Sequence, residues 1–212
     1  MNVMNNAQGD TATRKLCALT FDDGPNTTTT VSVLDKLQSL DVVGSFFIVG
    51  SNVNGETVKV VRRAIDMGCD IQNHSWTHTD MTLQSKSEIL DEVARTSALI
   101  KAISGVSPSF FRPPYIGVND TVFSEIDLSM IAGFDGLDWE SSVDAQARAE
   151  KILSSVRDGA IILLHDFEKN EATVDALDIL VPALRERGFT MVTISEMFRE
   201  KKVDPAVKGR LW

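Results

Sequence analysis

The sequence predicts an α/β fold in which seven parallel strands alternate with helices and curl into a closed or nearly closed barrel. Three observations carry this. Short, continuous apolar runs alternate with longer amphipathic segments along the chain, the pattern of strands covered by helices on both faces. No repeat, low-complexity block or linker interrupts the alternation, and seven such units in one domain favour a barrel. No glycine-rich phosphate fingerprint follows any strand, which places an open, doubly wound sheet second.

The elements follow in order. Residues 1–14 are polar and are expected to form a flexible N-terminal segment ahead of a single domain over 15–212. Residues 16–20 are the first strand. Thr27 to Thr30 offer a helix cap, and Val31, Leu34, Leu37 and Leu40 recur at near-helical spacing. Residues 45–49 are the second strand, closed by Gly50. Val58, Val61, Ile65 and Met67 mark a second helix, with Gly68 as its C-cap. Residues 69–72 are a short third strand. Residues 85–104 form a long helix that Gly105 ends. Residues 109–111 are a brief fourth strand, and 121–131 read as a helix. Residues 134–137 are the fifth strand, followed by a helix over 145–156. Residues 160–164 are the sixth strand and the plainest apolar run in the chain. A helix over 174–187, a seventh strand over 189–193 and a short helix capped by Ser195 complete the chain.

Composition bounds the function. With 43% hydrophobic and 24% charged residues among 212, the chain is of the soluble globular kind. Thirty acidic side chains against twenty-one Lys and Arg give a net charge of −9. That argues against nucleic acid as a partner, since phosphate binding needs a basic face, and disfavours an anionic membrane surface. No apolar run approaches the roughly 18 residues of a membrane span. The N-terminal residues lack an apolar signal core, so the chain is either cytoplasmic or without its targeting segment. Cys17 and Cys69 each lie in or beside an apolar run and read as two buried thiols, with a disulfide as the alternative.

The chemistry is concentrated at strand ends. Thr20-Phe21-Asp22-Asp23-Gly24-Pro25 places two carboxylates where a buried strand stops. Two acids there are costly unless something pairs them; the alternative is a solvated turn, for which Asp-Gly-Pro is good chemistry. Partners follow downstream. His74 and His78, two of only three histidines, have a spacing that puts both rings on one face of a helical turn. Asp23 would complete a metal site with an open position, a donor set that suits zinc, with cobalt or nickel as substitutes. Asn73 reads as fixing this loop, and Trp76 as packing. His165, the third histidine, would face the same mouth as Asp22 and make an acid/base pair with it. Asp138 could hold His165 protonated, and Arg112 could clamp Asp22 ionised. A satisfied strand-end histidine and a surface arginine are the plainer alternatives. Asp166 reads as a structural hydrogen bonder.

These stretches resemble the five motifs of the polysaccharide deacetylases of the NodB-homology type, carbohydrate esterase family four. They are Thr20–Pro25, His74–His78, Arg112–Tyr115, Asp138-Trp139 and Leu163–Asp166, in that order. The resemblance implies a distorted (β/α) barrel of seven strands. It implies Asp22 as catalytic base, Asp23, His74 and His78 as metal ligands, Arg112 as partner of the base, and Asp138 as the residue tuning the acid His165. The Tyr115 N–H would be an oxyanion donor, and Leu163 and Trp139 would line the acetyl pocket.

Two departures stand out. Ile116 occupies the position after the tyrosine where the family usually has glycine, with Gly117 one later. Residues 139–144 lack the usual second acidic-aromatic repeat, which predicts a more open groove. The segments around Tyr115, Trp139 and His165 look closest to the acetylxylan esterase branch. The expected activity is therefore metal-dependent removal of O-acetyl groups from a polysaccharide, foremost acetylxylan, by a monomeric, secreted enzyme. N-deacetylation of chitin oligomers or peptidoglycan is the alternative, and a non-catalytic carbohydrate-binding domain a third reading.

Overall fold

The computed structural model describes residues 14–212. The expected N-terminal segment lies outside the described residues except for Arg14. The elements are β1 (Lys15–Asp22), α1 (Thr29–Ser39), β2 (Ser45–Ile48), α2 (Thr57–Asp66), β3 (Asp70–Asn73), α3 (Lys86–Ser104), β4 (Phe110–Phe111), α4 (Asp120–Glu125), β5 (Ser129–Met130), β6 (Phe134–Asp135), α5 (Ala145–Ser155), β7 (Ala160–His165), α6 (Glu171–Glu186), β8 (Phe189–Met191) and α7 (Ile194–Lys201).

All strand pairs are parallel, in the order β5-β4-β3-β2-β1-β7-β6, and β8 pairs with the beginning of β1. The sheet curls into a distorted barrel. Between β5 and β6 the chain's last residues take up the backbone groups: Leu211 bridges Met130, and the Trp212 carbonyl accepts from the N–H groups of Ala132 and Gly133.

The period-2 alternation of β1 sorts its residues. Cys17, Leu19 and Phe21 face the helices, packed with Val33, Leu34, Leu177 and Leu180. Leu16 and Ala18 face inward, with Phe47, Phe110 and Ile161, and α7 closes this end through Ile194, Met197 and Phe198. Thr20 and Asp22 continue the inward row. The barrel interior is thus apolar at one end and polar at the C-terminal ends of its strands.

Register then brings the polar residues level. Asp22 of β1 is paired with His165 of β7. Asn73 of β3 is paired with Phe111 of β4, so the residues that follow, His74 and Arg112, leave their strands side by side.

Several local expectations are corrected. Among the described residues the sheet has eight strands, because residues 121–131 are not one helix. The chain turns extended at Ile126 after the short α4 and pairs as β5 with β4. Ile126 and Met130 are thereby buried with Met81, Ile89 and Phe111. The last helix is capped by Thr193, whose hydroxyl accepts from the Glu196 N–H, while the Ser195 N–H goes to Asp70. At α1 no threonine side chain caps; Asn26 Oδ1 accepts from the N–H groups of Thr28 and Thr30 instead. Cys17 and Cys69 are both buried and free, and burial pushes the Cys17 thiol up to about 12. No helix among the described residues is long and apolar enough to cross a membrane.

Candidate active site

Asp22 and Arg112 are both almost wholly buried, at 2% and 0% exposure. Arg112 Nη1 donates to Asp22 Oδ1 at 2.5 Å and Nη2 to Thr20 Oγ1 at 2.9 Å, with the guanidinium lying 4.2 Å from the Phe47 ring centroid. The Thr20 hydroxyl is spoken for, donating to the Ile162 carbonyl at 2.8 Å. One carboxylate oxygen of Asp22 is therefore committed to the guanidinium. The other, Oδ2, looks toward His74 Nε2 at 3.6 Å.

His74 Nδ1 lies 2.7 Å from the Arg112 carbonyl, an acceptor only. Nδ1 therefore carries a proton, which leaves Nε2 free to turn a lone pair outward. That lone pair faces Asp23 Oδ1 at 3.4 Å, and His78 Nε2 lies 3.1 Å from the same oxygen. Asp23 Oδ1 is buried and has no hydrogen-bond partner. Lone pairs and a carboxylate facing one another at such distances repel unless a cation lies among them. One nitrogen or oxygen from each of Asp23, His74 and His78 lies within 4.8 Å of the others, and this donor set fits a divalent cation.

The two histidines do not sit on a helical turn. They belong to an irregular loop after β3, in which Ser75 (φ 68°) and His78 (φ 60°) are left-handed. The loop is held from α3: Glu92 accepts from the N–H groups of Trp76 and Thr77 and from the Thr77 hydroxyl, each at 2.8 Å. Asn73 fixes its start by accepting from the Ser75 N–H.

Across the mouth, Asp138 grips His165 twice. Oδ1 lies 2.8 Å from the ring Nδ1, and Oδ2 accepts from the His165 backbone N–H at 2.6 Å. Burial disfavours the charged ring. The hydrogen bond and charge of Asp138, with the charges of Asp22 and Asp23, outweigh it and push His165 up to about 9.

Tyr115 lies in a single tight turn that begins at Pro114, which has no N–H, with the N–H groups of Ile116 and Gly117 taken by the carbonyls of Pro113 and Pro114. The first N–H of such a turn has no partner within it, so that of Tyr115 is left for something else. Tyr115 (φ 58°) and Ile116 (φ 54°) are both left-handed, as are Asp23 (φ 79°) and Leu137 (φ 60°). Non-glycine strain of this sort gathers at functional sites.

A cavity of about 440 Å³ joins these parts, reached by Asp22, Asp23, His74, His78 and His165, with Tyr115, Trp139 and Leu163 also on its walls. Of the expected catalytic, metal and substrate residues, all border it except Arg112 and Asp138, which stand behind it through their bonds to Asp22 and His165. A larger cavity, about 560 Å³, opens at the opposite ends of β6 and β7 and contains no histidine. The chemistry, not the volume, marks the smaller one.

Sequence reasoning missed Asp135, which also lines the cavity, and the buried Glu92, Arg148 and Thr173 behind it. Asp166 is structural as read: it accepts from the Gly24 N–H and the Thr30 hydroxyl. Its burial, with the charges of Asp23 and Asp22, pushes it up to about 7.

A family model described as polysaccharide deacetylase matches residues 9–130. The chain belongs to the polysaccharide deacetylase family. Among its relatives, a bifunctional xylanase/deacetylase of Pseudobutyrivibrio xylanivorans is 47% identical over 211 residues, the whole of this chain but 35% of that protein. A peptidoglycan-N-acetylglucosamine deacetylase of Listeria monocytogenes is 37% identical over 190 residues, 89% of this chain and 40% of the relative. The chain thus spans little more than a third of these curated relatives. The solved structure of a family 4 acetyl xylan esterase from Clostridium thermocellum, in complex with a cobalt ion, superposes with a TM-score of 0.90 at 43% identity, covering 93% of this chain and 98% of that one. In this member of the family, the stretches singled out from the sequence gather around one cavity at the C-terminal ends of the strands, where barrels of parallel strands carry their chemistry.

Proposed function

We propose that this chain is a metal-dependent hydrolase that removes O-acetyl groups from a polysaccharide, acetylxylan above all, and that zinc is its resident metal. The observation that carries the reading is the opposed pair: Asp22 Oδ2, backed by Arg112, and the His165 ring, backed by Asp138, border one cavity beside three converging donors. A pure binding domain needs no such set.

Asp23, His74 and His78 would hold the metal. When bound, the ion supplies Lewis-acid activation of water and of the acetyl carbonyl. Asp22 takes the proton from the attacking water, with Arg112 fixing its orientation. The Tyr115 N–H stabilises the developing oxyanion, worth about 3 kcal/mol for one such donor. His165 is tied through Nδ1 to Asp138, so its Nε2 carries the proton given to the departing sugar oxygen. Trp139 and Leu163 enclose the acetyl methyl.

The choice of xylan rests on the relatives whose names carry xylan, at 47% and 43% identity, against 37% for the peptidoglycan deacetylase. The net charge of −9 offers no field to hold an anionic polymer. All the catalytic groups come from one chain, so a monomer suffices, and a polymeric substrate implies work outside the cytoplasm.

The test is kcat/KM of the zinc-loaded protein for acetylated xylooligosaccharides against N-acetylglucosamine oligomers. A preference for the ester is expected. A clear preference for the amide would replace this reading with a chitin or peptidoglycan N-deacetylase.

A further inference from the structure

Arg148 is an arginine in the middle of α5, on a helix whose other charged residues face solvent, yet it is only 2% exposed. It makes four hydrogen bonds. Nε donates to the Val143 carbonyl at 2.8 Å and Nη2 to the Glu140 carbonyl at 3.1 Å, which pins the segment after Trp139. Nη1 donates to Asn170 Oδ1 at 2.6 Å and to Thr173 Oγ1 at 2.8 Å.

An arginine can only donate, and that fixes the direction of everything beyond it. Thr173 Oγ1 receives the guanidinium proton, so its own proton points the other way, to Asp138 Oδ2 at 2.9 Å. Asn170 Oδ1 also receives a proton, which settles the orientation of its amide. Its Nδ2 then donates to the His165 carbonyl at 2.9 Å. Two relays therefore start at one guanidinium and end on the two members of the Asp138–His165 pair. With the His165 N–H, the Thr173 hydroxyl completes two donors on Asp138 Oδ2 and leaves Oδ1 to the ring.

We propose that Arg148 is a positioning residue for proton donation: through Thr173 and Asn170 it holds Asp138 and His165 in the geometry that protonates the leaving group. It touches neither substrate nor metal. The proposal rests on the acid role given to His165 above.

The test exploits leaving groups. An alcohol needs a proton as it departs, whereas 4-nitrophenolate leaves without one. In zinc-loaded enzyme of verified metal content, Arg148→Met should lower kcat/KM for acetylated xylooligosaccharides by ~30–100-fold, a sizeable part of what a general acid contributes. Hydrolysis of 4-nitrophenyl acetate should fall by less than about threefold. Thr173→Val removes one relay without emptying the guanidinium site. It should give the same selective loss, about tenfold, and it carries the test if Arg148→Met does not fold. Equal losses on both esters would make Arg148 a mere support of the fold and overturn the proposal, as would an unchanged rate on the sugar ester. Failure of the substrate reading shows differently, as wild-type enzyme inactive on acetylated xylan. The same ratio is then measured with xylose tetra-acetate, another ester of an alcohol.

Discussion

Asp138 holds both ends of His165, its ring Nδ1 at 2.8 Å and its backbone N–H at 2.6 Å. The ring is thereby pushed up from 6.5 to about 9. A folded-state pKa above the unfolded value means that the pair's stabilisation is complete below about pH 6.5 and is lost as pH rises through about 9. Activity that needs the protonated ring follows the same limb. A divalent cation beside Asp23 opposes the charge on the ring, so the metal-loaded enzyme should show its alkaline limb below 9. Asp138→Asn removes the carboxylate charge and should move that limb down toward the ordinary histidine range. Profiles of kcat/KM against pH for the two proteins, at one metal concentration, check this. Superimposable limbs would remove His165 as the acid.

Arg112 offers a second prediction. Removing one partner of a buried ion pair strands the other, and Asp22 is only 2% exposed. Arg112→Met should cost about 3–5 kcal/mol in urea unfolding. Arg112→Lys should restore part of that stability but little activity. An ammonium is a point charge and cannot bridge Asp22 Oδ1 and Thr20 Oγ1 while lying flat on Phe47. Wild-type turnover in Arg112→Lys would mean that the oriented fork is not what Asp22 requires.

The three donors at Asp23, His74 and His78 predict about one divalent ion per chain. Chelation should leave the protein folded but stop acetate release, and zinc should restore it. Zinc at a hundred times its Kd should stabilise the fold by about 2.7 kcal/mol, since ligand that binds only the folded state adds RT ln(1 + [L]/Kd). In a chain of this size that is roughly 5–10 °C in melting temperature. Undiminished acetate release from a sample proven metal-free would defeat the prediction.

The sequence carried the architecture because each long strand is a continuous apolar run and several helices begin or end on a legible cap, as with the Ser85–Glu88 capping box and the left-handed Gly105 of α3. It pointed to the candidate site because Asp22, Asp23, His74, Arg112 and His165 stand at or just past strand ends. What escaped did so for physical reasons. β5 has two residues, too few for a period to register. The histidine spacing fits one face of a helix, but the rings meet through left-handed turns at Ser75 and His78, neither a glycine, so no residue type announces them. Arg148 and Glu92 sit on helices where charges normally face water. Their burial depends on partners such as Thr173, 25 residues from Arg148, and Trp76, 16 residues from Glu92. Such pairs are created by the fold and leave no local pattern.

Glu92 supports the last prediction. Its carboxylate is 7% exposed and accepts two backbone N–H groups and one hydroxyl from the loop that carries His78. Thr96 adds a hydroxyl to the Ser75 carbonyl, so one face of α3 sets the shape of that loop. Glu92→Ala leaves two part-buried N–H groups without their acceptor, at a cost of about 1 kcal/mol each. The loop should then relax out of its left-handed turns, and the His78 ring should lose its place against Asp23. Metal affinity should weaken by about 10–100-fold, the usual effect of removing a group that orients a ligand. Glu92→Gln separates shape from charge. One amide oxygen can still take both N–H groups, and the amide nitrogen can donate to the Thr77 hydroxyl, which then turns its proton to Thr79 Oγ1, 2.7 Å away. Glu92→Gln should therefore keep metal binding within a few-fold of wild type while Glu92→Ala does not. Titration of both variants with zinc, followed by calorimetry, decides the matter. Equal and undiminished affinity in the two would mean that the loop holds its shape without α3.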